Sequence, residues 1–208
     1  MGLFESFDNL DKISAEAIAS WLKPVPSLDF IDNYLVNRIL YPQTIPQTER
    51  DMQLDLAILR EAVKLNSPKS GESPFLNPAL RKLLIPVKFL NFVPDLASLT
   101  WAFIDALFLG RHKKDWFDDL WTIVVTDDVD ELVGSIILPQ FEDGGSMKLK
   151  LMDKNYEIKK GNLSVIPCPK ARCEISYKLQ GGKVLNKDEN AVEVHGGKLG
   201  LVIDGRGV

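Results

Sequence analysis

The hydrophobic period of this chain changes once along its length, and that change limits the folds open to it. Between about Ser14 and Gly110 apolar residues recur at the 3.6-residue spacing of helices. From about Glu131 onward they alternate, as in strands with one buried face. A chain patterned this way segregates its helices from its strands. The sequence therefore predicts an α+β protein, with a helical amino-terminal half followed by a small antiparallel β-sandwich or barrel. With 208 residues, 45% of them hydrophobic, it can bury a substantial core. The expected division is a mainly helical domain over residues 1–126 and an antiparallel β domain over residues 130–208.

Within the helical half, Ser14 is placed to cap a first helix that stops at Lys23-Pro24-Val25-Pro26, where prolines forbid continuation. A second helix over about Ser27 to Leu40 is expected to put Leu28, Ile31, Leu35 and Ile39 on one face. Thr48 and Asp51 form a capping box for a third. That helix carries one stripe of Met52, Leu56, Leu59 and Val63 and another of Leu54, Ile58, Ala62 and Leu65, so it should pack between two partners. Asn66 to Pro78 is rich in proline, serine and glycine and reads as a link. Leu83 to Val93 is continuously apolar, and its periodicity allows either a buried strand or a short helix interrupted by Pro86. Pro94-Asp95 opens a further helix through Leu99, Phe103, Ile104 and Leu107, with Gly110 as its stop. Trp116 to Val125 reads as a short helix leading into a strand.

In the β half, Met147, Leu149 and Leu151 alternate with lysines; Ile175, Tyr177 and Leu179 alternate with polar residues; Leu199, Leu201 and Ile203 close the series. Turn signals stand at Asp143-Gly144-Gly145, Asp153-Lys154-Asn155, Lys160-Gly161-Asn162, Gly181-Gly182 and Gly196-Gly197, which divides the segment into six or seven short strands.

A net charge of -4 gives no basic field to hold nucleic acid or an anionic membrane, and the short run Arg111-His112-Lys113-Lys114 reads as a solvated turn. The greasy stretch from Leu96 to Gly110 is too short and too interrupted to cross a bilayer. The start, Met1-Gly2-Leu3-Phe4-Glu5-Ser6, lacks the pattern of a signal peptide, although it fits the loose myristoylation motif. Two cysteines are too few for a secreted disulfide scaffold, so a reducing, cytoplasmic location is expected.

Three groups of residues could carry chemistry. Leu199 to Gly207, an apolar strand followed by Asp204-Gly205-Arg206-Gly207, has the look of a phosphate loop, but only Val208 follows where a second strand is needed. A strand ending in a glycine turn is the simpler reading. Cys168 and Cys173 could ligate a metal with His195 or His112, yet zinc sites want four ligands in closely spaced pairs. The acidic set Asp115, Asp118, Asp119, Asp127, Asp128, Asp130 and Glu131 lacks the order of a calcium loop and reads as a solvated border. No catalytic, cofactor-binding or metal-binding residue is assigned.

Three stretches resemble the accessory proteins of adenosylcobalamin-dependent glutamate mutase, of the MutL type. Pro46, Thr48, Asp51, Met52, Leu54, Ala57, Arg60, Glu61 and Ala62 fall in register with that family's P-x-T helix, and Val93-Pro94-Asp95 through Leu107 with its A-P-x-P helix. Gly161-Asn162-Leu163-Ser164-Val165-Ile166-Pro167 is similar to G-S-L-x-V-L-P, and Gly196 to Gly207 to G-G-x-L-G-L-V-I-D-x-R-G. The resemblance implies an actin-like ATPase scaffold and a chaperone-like or reactivating role beside a mutase. The family's D-x-G-[ST] half is absent, and Lys88-Phe89-Leu90-Asn91-Phe92 stands where its adenosine glycines would be. Bulky side chains there block close backbone approach to a nucleotide. The expected function is thus a non-catalytic module that binds a protein partner, with the carboxy-terminal portion of an actin-like ATPase as the alternative.

Overall fold

Each helix begins at a residue whose side chain can satisfy the free backbone donors of the first turn. A computed structural model describes residues 3–5, 7–67, 73–77, 79–93, 95–109, 120–126, 131–184 and 191–206. In it Ser14 caps α1 (Ala15–Ala19) by accepting from the Ala17 N–H, and Ser27 caps α2 (Leu28–Leu40) by accepting from Phe30. The capping box of α3 (Glu49–Leu65) is complete: Asp51 N–H donates to Thr48 Oγ1 and Thr48 N–H to Asp51 Oδ2, each at 3.1 Å. Asp95 accepts from Ser98 N–H at 2.7 Å ahead of α4 (Leu96–Phe108). The stop expected at Gly110 lies outside the described residues.

The chain divides into two compact units, each built from two stretches. The first takes Met1–Ser73 and Pro86–Leu107, and the second Pro74–Ile85 and Phe108–Val208. In the first unit α3 buries residues from both of its apolar stripes, Leu54, Ile58 and Ala62 from one and Leu56, Leu59 and Val63 from the other. Leu65, at the end of its stripe, is exposed. Phe7 stacks on Phe89, which in turn lies against Phe103, so the 3₁₀ turn Val87–Asn91 and α4 share one aromatic core. The ambiguous run from Leu83 contains both alternatives in succession: a strand through Pro86, then that turn.

The second unit holds ten strands among the described residues, in two sheets. The first sheet has the order β1 (Leu76–Asn77), β2 (Lys82–Pro86), β3 (Leu120–Thr126), β4 (Glu131–Ile137), β10 (Gly200–Asp204), β7 (Leu163–Ile166). The second has the order β6 (Lys154–Lys159), β5 (Gln140–Leu151), β8 (Arg172–Lys183), β9 (Ala191–His195). The alternation read from the sequence points the expected residues inward: Met147, Leu149, Leu151, Ile175 and Tyr177 from one sheet join Ile137, Ile166, Leu201 and Ile203 from the other in a single hydrophobic cluster. The buried Ser135 hydroxyl donates to the His195 carbonyl and accepts from its N–H, both at 2.9 Å, tying β4 to β9.

Two expectations for this unit are corrected. The first sheet is mixed, because β10 pairs parallel with β4, Gly200 against Gly134, and antiparallel with β7. The glycines at 144–145 and 181–182 also do not end strands. Both lie inside twelve-residue strands, β5 and β8, whose register shifts between Phe141 and Ser146. Gly144, Gly181 and Gly182 have positive φ, so the glycine pairs supply a bulge that bends two long strands together instead of a reversal of each.

Candidate functional site

The helix α2 is where structure departs most from the burial its sequence suggests. Its buried residues are Ile31, Leu35 and Arg38. Leu28 and Ile39, expected on the buried face, are 42% and 38% exposed, and with Val36 at 51% and Leu40 at 63% they form a second apolar face turned to solvent. At about 100° per residue these four positions span roughly a third of the helix circumference, and Asp29 and Asp32, both exposed, fall within the same arc. Exposed apolar side chains grouped on one face mark interaction sites more often than isolated exposed residues do.

The buried face of α2 carries a polar group, Arg38, where the pattern suggested Ile39. Arg38 grips Asp55 of α3 with two parallel bonds, Nε to Oδ1 and Nη2 to Oδ2, each 2.7 Å. Its remaining donors reach the Tyr34 hydroxyl at 2.7 Å and the Thr44 carbonyl at 2.6 Å. Tyr34 donates toward Asp55 Oδ1 at 2.9 Å and the Asp51 carbonyl at 3.0 Å, sharing one hydrogen between two acceptors. Burial pushes the Asp55 carboxyl up to about 6 against the opposing pull of Arg38. Burial, aided by the Asp55 charge, also raises the Tyr34 phenol. Neither Arg38 nor Asp55 stands out by type. The readable signal was position: a carboxylate between Leu54 and Leu56, and an arginine one turn on from Ile31 and Leu35.

The C-terminal string serves the fold. Asp204 is buried and held by Arg206, whose Nε and Nη2 lie 3.0 and 3.1 Å from its two oxygens while the Arg206 N–H donates at 3.0 Å. A carboxylate already matched by a guanidinium is a poor holder of a cation. A Cβ on Gly134 would run into the Gly200 carbonyl, one on Gly200 would stand 2.6 Å from the Ile166 carbonyl, and one on Gly197, at φ 144°, 2.8 Å from that of Val133. The glycines thus admit β10 between β4 and β7.

Cys168 and Cys173 are bonded to each other, so they are not thiolate ligands. Gly196 and Gly197 pack on the same segment, donating to the Ala171 and Cys168 carbonyls. Among the described residues no three His, Cys, Asp or Glu side chains converge as a metal site would require. His112, Arg111, Lys113, Lys114 and all the acidic border except Glu131 lie outside the described residues; Glu131 pairs with Lys198 at 2.8 Å. No helix among the described residues is long and apolar enough to cross a membrane. No family model, curated protein or solved structure matches the chain.

Proposed function

We propose that this protein works by docking a protein partner on the exposed face of α2, as a non-catalytic assembly module related to the glutamate mutase accessory proteins. The observation that carries this reading is the set Leu28, Val36, Ile39 and Leu40, apolar and open to solvent on a helix whose opposite side is locked by Arg38 and Asp55. Asp29 and Asp32 within that face call for a partner surface that is apolar with lysine or arginine at its margin. The motifs at Gly161 to Pro167 and Gly196 to Gly207 support a cobalamin-dependent mutase as the partner class. The second unit serves as a β-sandwich scaffold, a reading supported by the core its two sheets share.

Calorimetric titration of such a mutase with the protein and with a Val36→Glu, Leu40→Glu variant tests the proposal. Binding by the parent that the variant loses, with helical circular dichroism unchanged, is expected. Equal binding by both removes α2 from the interface. Micromolar binding of magnesium-ATP to the isolated chain would overturn the non-catalytic reading in favour of the actin-like ATPase.

A cytoplasmic location belongs to the same proposal. The bond between Cys168 and Cys173 weighs against it, since thiols in that compartment are kept reduced. A free-thiol count on cells lysed into alkylating agent separates the two: two alkylated cysteines per chain support the cytoplasm, and none opposes it.

A further inference from the structure

The outer face of the second sheet, opposite the hydrophobic cluster, collects lysines on neighbouring positions of adjacent strands. Lys148 on β5 pairs directly with Lys178 on β8, and Lys150 lies two residues along the same strand. Like charges at directly opposed positions repel, and sheets ordinarily avoid them. The flanking positions are short: Lys150 stands between Asn155 and Ser176 in the register of the three strands. Three long cationic side chains beside two short polar ones border a concavity of about 520 Å³, which Leu149, Tyr156 and Tyr177 also line. Glu157, opposite Lys148, is the one carboxylate in its lining and offsets one charge of three. None of the three lysines forms an ion pair among the described residues, in a chain whose overall charge is -4.

We propose that this concavity binds a small polyphosphate-bearing ligand. Two phosphoryl groups in series place oxygens a few ångströms apart, which matches ammonium groups carried on neighbouring positions of adjacent strands about 4.8 Å apart. Each ammonium offers three donors to such oxygens, while Asn155 and Ser176 hydrogen-bond the remainder of the ligand. Anion binding also relieves the repulsion between Lys148 and Lys178, so occupancy and sheet stability rise together. The site lies wholly on β5, β6 and β8 and is independent of the face of α2.

Titration calorimetry with tripolyphosphate at low and physiological salt tests the assignment, beside a triple variant Lys148→Gln, Lys150→Gln, Lys178→Gln. All three side chains are exposed, and thermal melting of the free protein confirms that the variant folds. If it does not, Lys148→Gln and Lys178→Gln are read singly. The parent should bind, and each lysine removed should weaken binding about tenfold. A control variant, Lys154→Gln with Lys183→Gln, should bind as the parent does. The proposal is overturned if tripolyphosphate gives no binding at millimolar concentration. Equal weakening by the control variant overturns it as well, since the effect would then be one of general charge. Tighter binding of a single-stranded oligonucleotide would replace the small ligand with nucleic acid.

Discussion

Replacing Arg38 with methionine keeps much of the side-chain volume and deletes the guanidinium, which takes its donors from Asp55, Tyr34 and the Thr44 carbonyl. Asp55 is 2% exposed, and without Arg38 its one remaining side-chain donor among the described residues is the Tyr34 hydroxyl at 2.9 Å. Removing one member of a buried ion pair leaves an uncompensated charge and typically costs about 3 to 5 kcal/mol. That is a large fraction of the roughly 5 to 15 kcal/mol by which a domain is stable. Replacing both residues, Arg38→Met with Asp55→Leu, removes the charge as well as its partner, and the cost should fall to about 1 kcal/mol or less. Urea denaturation followed by helical circular dichroism, which reports on the first unit, gives the cycle directly.

The same cycle has a pH signature. Burial holds Asp55 near 6 in the folded protein, above the value of about 4 in an unfolded chain. A carboxyl shifted in that direction contributes stability that is present below about pH 4 and lost as pH rises through 6. In the Arg38→Met protein the pull of the guanidinium is gone, so the carboxyl moves further up. The penalty of the single variant relative to the parent should therefore shrink between pH 7 and pH 4.5 as Asp55 protonates. A single variant that costs less than 1 kcal/mol at pH 7, or a penalty that does not change with pH, would refute the view that Arg38 compensates a buried charge.

Other outcomes follow from the same structure. Gly197→Val should lower stability by about 1 to 3 kcal/mol, from positive φ and the close Val133 carbonyl, with the melting temperature falling and tripolyphosphate binding unchanged. Thr48→Ala should cost about 1 kcal/mol through loss of the capping box, read by urea denaturation, whereas Thr48→Ser should cost little. Val36→Glu with Leu40→Glu should leave stability within about 0.5 kcal/mol of the parent, because both side chains are already exposed.

Local chemistry was legible where a residue acts on its own neighbours. Ser14 and the Thr48–Asp51 box cap the helices they precede, and the alternation around Met147 and Ile175 points the right residues inward. Legibility failed where the deciding partner is distant in sequence. Gly144-Gly145 and Gly181-Gly182 read as turns because nothing local reveals that the strands continue beyond them; it is the pairing on either side, Phe141 with Gly182 and Ser146 with Gln180, that carries the two strands past the glycines. Leu28 and Ile39 fit a buried stripe as well as an exposed one, and in the structure Arg38, paired with Asp55 on another helix, is buried while they are not. The acidic border and basic run stand out in the sequence by charge, whereas Lys148, Lys150 and Lys178 are indistinguishable from the polar half of a strand pattern.

The parallel strand β10 has a consequence for how the second unit is assembled. All of β5 to β9 lies between β4 and β10 in sequence, and four of those strands form the second sheet by antiparallel pairing alone. That sheet can assemble early from comparatively local contacts, whereas the first waits for a distant segment to arrive between β4 and β7. Until then the facing edges of β4 and β7 are both unpaired, and each can recruit a foreign strand. The glycines that let β10 slide into place thus close the interval in which this protein is most exposed to aggregation.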